Sequence, residues 1–177
     1  MKTLRILASA GLVACALVVA SGAISGVASA SVTKNCTPAH LKVSLGASQG
    51  AAGTIYHPIV FTNRGPACAI WGVPAVRAVV GGASHSWVPV GPFARNLSMG
   101  EMAVRQVVKT GHTVSDNYGV IESGNYTPSA CVSKNASAVV VTLGRFVNRA
   151  YLPLKISVCT KIASTTTTLI VQGSKGY

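Results

Sequence analysis

The sequence predicts an all-β fold, an antiparallel, immunoglobulin-like β-sandwich of about eight strands stapled by two disulfides. Three observations carry this. Apolar and polar residues alternate with a period of two over most of the chain, and no stretch sustains helical periodicity. Glycine, proline, asparagine and serine clusters break the alternation at short intervals, as turns between strands do. Four cysteines, Cys36, Cys68, Cys131 and Cys159, follow a leader-like start, and an even number behind an export signal reads as paired.

The leader comes first. Lys2 and Arg5 precede an uncharged apolar run over 6–20, and small residues then accumulate to Ala28-Ser29-Ala30. A basic start, an apolar centre and a small-x-small site make residues 1–30 a secretory signal peptide, cut before Ser31. A membrane anchor is the rival, but Gly11, Ser21 and Gly22 interrupt a run already shorter than the ~20 residues a bilayer requires. A second rival is lipidation of Cys15, because Leu12-Val13-Ala14-Cys15 has the form of a lipobox. The apolar run continuing through Ala16-Leu17-Val18-Val19 favours ordinary cleavage. Residues 31–177 then form a single secreted domain with thirteen Lys+Arg against three acids, a net charge of +10.

The strands follow in order. Leu41 to Leu45 alternates cleanly. Ile55 to Asn63 is β-branched and aromatic, with Pro58 marking an edge or a bulge. After a turn at Arg64 to Ala67, Cys68 to Trp71 opens a short strand. Ala75 to Val80 ends at Gly81-Gly82, and Trp87 to Val90 follows. Glu101 to Val108 reads as a strand behind a turn at Gly100. The segment 111–128, with Asp116, Asn117, Tyr118, Glu122, Asn125 and Tyr126, is the longest polar, weakly patterned stretch and reads as a loop able to carry recognition. Ala138 to Leu143, Leu152 to Val158 and Leu169 to Val171 are further strands. No βαβ alternation supports a parallel sheet.

Four cysteines allow three connectivities. The spacing divides them into an early and a late pair, favouring Cys36–Cys68 with Cys131–Cys159, each closing a loop worth roughly 3–4 kcal/mol of chain entropy. No closely spaced ligand pair suggests zinc.

The block from Gly53 to Val76 reads Gly-Thr-Ile-Tyr, an apolar strand to Thr62-Asn63, a turn to Cys68, then Gly72-Val73-Pro74. It resembles the secreted actinobacterial family catalogued as domain of unknown function 4232. Leu97 to Ala103, Cys131 to Val141, Cys159 and the terminal Leu169 to Gly173 agree with its order of landmarks, so the resemblance covers nearly all of 36–173. Val73 stands where that family has an aromatic residue, and Trp71 lies close enough in sequence to fill the space. The resemblance implies an envelope β-sandwich with no established activity and no catalytic residue to carry over.

Candidate chemistry is sparse. His40, His57, His85 and His112 are too widely spaced for a recognisable metal motif. His112 and Asp116 do not make a triad without a nucleophile elbow. The chain therefore reads as non-enzymatic, with no catalytic residue, no cofactor and no metal. The alternative is a small metal-dependent or hydrolytic enzyme on a sandwich scaffold using His and Asp116. Its test is whether two histidines converge with Asp116 or Glu122. The basic excess is dispersed, with no nucleic-acid arm, and points instead to anionic cell-wall polymer or lipid headgroups as partners of a monomer. Arg145 and Arg149, flanking Phe146-Val147-Asn148 between two strands, are the candidate anion-binding residues.

Overall fold

A computed structural model describes residues 33–82 and 86–177, and there the period-two pattern becomes thirteen strands with no α-helix. The leader over 1–30, its cleavage point, Cys15 and His85 lie outside the described residues. In chain order the strands are β1 (Leu41–Leu45), β2 (Gln49–Ala51), β3 (Thr54–Asn63), β4 (Cys68–Ile70), β5 (Ala75–Val80) and β6 (Val88–Phe93). Then come β7 (Arg95–Asn96), β8 (Gln106–Val108), β9 (Thr113–Ile121), β10 (Ser133–Leu143), β11 (Val147–Cys159), β12 (Thr165–Thr167) and β13 (Val171–Gln172).

They form two principal sheets. One is ordered β1-β3-β9-β12-β7, with β2 added beside β3 and β13 beside β9. The other is ordered β11-β10-β5-β6, and β4 and β8 make a separate two-stranded ribbon. Pairing is antiparallel throughout except between β12 and β7. The core lies between the sheets. Ile59, Phe61, Val114 and Tyr118 from the first sheet share one buried cluster with Val76, Val139, Val141, Leu143 and Leu152 from the second. These residues alternate with the outward positions of their strands, as a two-layer fold demands.

Several expectations are corrected. The segment 111–128 is no long loop, because β9 runs through it at the centre of the larger sheet, paired with β3 from Thr54↔Ile121 to Thr62↔Thr113. Asp116 occupies an inward position between Val114 and Tyr118, and a carboxyl there broke the apolar alternation that would have announced a strand. Glu101 to Val108 contributes only Gln106–Val108. Leu169 to Val171 contributes only Val171, whereas the strand just before it is the all-threonine β12.

Pro58 is not at an edge but faces a bulge: between Leu45↔Ile59 and Gln49↔Tyr56 three residues, 46–48, lie opposite two, 57–58. β3 is flanked by β1 and β2 on one side and by β9 on the other, in unbroken register with β9. The Pro58 carbonyl accepts the Gly46 N–H at 2.8 Å. In a strand the N–H and C=O of one residue point the same way, so the donor Pro58 lacks faces the gap between β1 and β2 and no ladder bond is lost.

The cysteines pair as the spacing favoured, Cys36–Cys68 and Cys131–Cys159, over separations of 32 and 28 residues. The first ties the N-terminal segment to β4, where Asn35 bridges Ala69. The turn before Cys68 is held by the fully buried Asn63. Its Oδ1 accepts the Gly65 N–H at 2.9 Å, and its amide donates to the Pro66 and Val108 carbonyls at 2.8 and 2.9 Å. Asn63→Asp keeps the shape but loses both donors. We expect it to lower the unfolding free energy by at least about 2 kcal/mol in urea denaturation with disulfides intact, and wild-type stability would show the network to be dispensable.

Candidate functional site

The outward face of the β11-β10-β5-β6 sheet is built by simple alternation. In β5, Val76 and Ala78 face the core, so Arg77 and Val79 face out. Val79 pairs with Ala138, and Arg77 with Val140 and with Phe93. Tyr151 also pairs with Val140 and so joins the same face. Val79, Ala138 and Val140 would be an exposed apolar strip, but Trp87 and Tyr151 pack over them as a roof. The Tyr151 hydroxyl donates to the Gly81 carbonyl at 2.6 Å, which fixes the ring.

Two guanidinium groups lie against aromatic rings here. Arg77 sits 4.9 Å from the Phe93 ring centre, and Arg149 sits 5.4 Å from that of Trp87. The Arg77 Nε also donates to the Gly91 carbonyl at 3.1 Å. Gly91 is required at that point. Its φ is +72°, and a Cβ would collide with the Cys159 carbonyl. Arg149 owes its direction to a register shift between Val141 and Leu143, which lets both Val147 and Ala150 face the core while Arg149 faces out. Arg145 is exposed in the 144–146 turn of the same hairpin.

The electrostatics are one-sided. The four strands of this sheet carry Arg77, Lys134, Arg149 and Lys155 and contain no aspartate or glutamate. The chain's three carboxylates are on other elements: Asp116 on β9, Glu101 in the 97–105 segment, and Glu122 after β9, where it shares a cleft with Lys155 and leaves Arg77 and Arg149 without an acid partner. A third stack, Arg105 at 4.8 Å from the Trp71 ring, is anchored by a bond to the Thr33 carbonyl, and Trp71 in turn meets Phe146 of the β10–β11 turn edge-on, ring centres 4.7 Å apart.

Of the residues singled out from sequence, Arg149 is on this face and Arg145 at the tip of its hairpin. Trp87, Tyr151, Arg77 and Phe93 were not anticipated, since each finds its partner only through strand pairing. The histidines are dispersed. His40 is exposed in a short 3-10 turn over Pro38–His40, and His112 is exposed in the turn before β9. His57, half-buried, lines a cleft of about 320 Å³ with Glu122, Lys155 and Ser157, and burial pushes its pKa down. One histidine thus shares a cleft with Glu122, and none of the three described histidines joins Asp116. Among the described residues no three His, Cys, Asp or Glu side chains are grouped to hold a metal.

Asp116 and Tyr118 are both fully buried on the inward face, where neither the carboxyl nor the hydroxyl makes a well-formed hydrogen bond, the Thr168 backbone and the Thr165 hydroxyl being their polar neighbours. Loss of water drives the Asp116 pKa well up, against a weak opposing pull from the Thr168 backbone. It drives the Tyr118 pKa up as well, opposed by the Thr165 hydroxyl and helped by the neighbouring Asp116.

A family model described as Domain of unknown function (DUF4232) matches residues 36–172. No curated protein and no solved structure matches the chain.

The buried carboxyl generates a test. Unfolded, Asp116 ionises near its ordinary 3.8, whereas folded it keeps its proton to a much higher pH. The native state therefore binds that proton more tightly, and stability falls as pH rises from 3.8 until the folded carboxyl itself ionises. Asp116→Asn should match the wild type near pH 3 and exceed it at pH 7 in denaturant unfolding. A difference that does not change with pH would refute this account.

Proposed function

The chain belongs to the family of domain of unknown function DUF4232, and we propose that it is an exported, non-enzymatic binding module of the bacterial cell envelope whose ligand is an anionic wall polymer. The observation carrying this reading is the pair of aromatic-seated guanidiniums on a sheet that has four cations and no acid. A guanidinium laid flat on a ring keeps its N–H edges free, and these edges match the paired oxygens of phosphate or carboxylate. The ring also restrains a side chain that would otherwise lose rotamer freedom on binding. Repeating anionic groups along a polymer can then meet Arg77, Arg149 and the hairpin's Arg145 in succession. Trp87, half-exposed between them, offers an apolar face to the carbon skeleton.

Export is supported by the two disulfides, which persist in oxidising compartments. No helix among the described residues is long and apolar enough to cross a membrane. The domain is taken to act as a monomer, with nucleic acid not among its partners.

Retention on purified envelope polymer measures the reading directly. We expect binding to weaken as salt rises, and Arg145→Ala with Arg149→Ala, both exposed, to reduce affinity about tenfold or more while thermal stability changes little. Salt-independent retention, or an unaffected double variant, would remove the sheet face as the binding surface.

A further inference from the structure

The segment between β7 and β8 carries apolar side chains that the described residues leave exposed. Leu97 is 50% exposed, Met99 78%, Met102 90% and Val104 66%. An exposed apolar cluster is costly unless something covers it. This one is held out by design of its two ends. At the near end the Leu97 N–H donates to the Thr167 carbonyl at 2.9 Å, and the Ser98 N–H donates to Asn96 Oδ1 at 2.8 Å. The buried Ser98 hydroxyl in turn accepts the Leu169 N–H at 3.2 Å. At the far end Arg105 is pinned between the Trp71 ring and the Thr33 carbonyl. Between these anchors every residue from 99 to 105 is exposed, and at Gly100, with φ at +90°, a Cβ would meet nothing within 4 Å.

We infer that this loop is a shallow membrane-docking tip for an anionic lipid surface, separate from the sheet face that holds polymer. Size and charge select that occupant. So short an exposed stretch cannot supply the roughly 800 Å² per partner of a stable protein–protein interface, but it can enter the soft headgroup and upper acyl layer. Exposed Arg95, Arg105 and Lys109 flank the apolar residues at both roots, where lipid phosphates would lie, in a chain of net charge +12. Glu101, exposed within the loop, opposes an anionic surface and is the one carboxylate there.

Vesicle binding by the full chain tests the inference, with every variant sharing residues 1–32. On phosphatidylglycerol-rich vesicles, Met99→Asp with Met102→Asp should weaken binding about tenfold or more, and Glu101→Gln should strengthen it. A local readout separates the loop from the leader: Met102→Trp should gain fluorescence that acyl-chain bromines quench, beyond that of the native tryptophans. Unchanged binding by the double aspartate variant together with no added quenching would overturn the inference. So would concentration-dependent dimers dissolved by the same double variant, which would assign the tip to a second copy.

Discussion

Three carboxylates cannot neutralise fifteen lysines and arginines, and one of the three is sealed inside the core. That imbalance governs the surface. In a chain of balanced charge an exposed arginine finds aspartate or glutamate nearby, whereas here three arginines settle on Phe93, Trp71 and Trp87. An aromatic ring attracts a guanidinium without cancelling its charge. The result is a set of oriented cations whose field is unspent, and the functional reading of the molecule rests on it.

The covalent framework complements this. Each disulfide closes a loop of about thirty residues and so removes roughly 3–4 kcal/mol of unfolded-state entropy. The two pairs sit in different parts of the chain, one tying the N-terminal segment to β4, the other joining the segment before β10 to the end of β11. With the framework closed in this way, the core tolerates an expense such as Asp116, an unbonded carboxyl among apolar neighbours. Burying it neutral rather than ionised keeps that cost within reach of a domain of this size.

How much of this was legible in the sequence depended on whether a strand obeyed its own alternation. β1 and β11 did, β5 and β10 were legible instead as short β-branched runs, and the paired cysteines followed from residue type and spacing. β9 was hidden because Asp116 occupies an inward position, and β12 because three consecutive threonines carry no polarity contrast. The opposite error occurred at Glu101 to Val104, where apolar residues suggested a half-buried strand and are instead exposed. For the candidate site, Arg149 could be singled out from its place beside a turn. Its ring could not, since Trp87 reaches it only after β6, β5, β10 and β11 have assembled side by side.

Pro58 has a consequence for self-association. The flank of the larger sheet is split into two short strands, Leu41–Leu45 and Gln49–Ala51, separated where Pro58 withholds a donor. A stray chain seeking to template onto that flank meets a ladder too short and too broken to zip along. The break opposite Pro58 thus acts as a guard against edge-to-edge association and fibril growth.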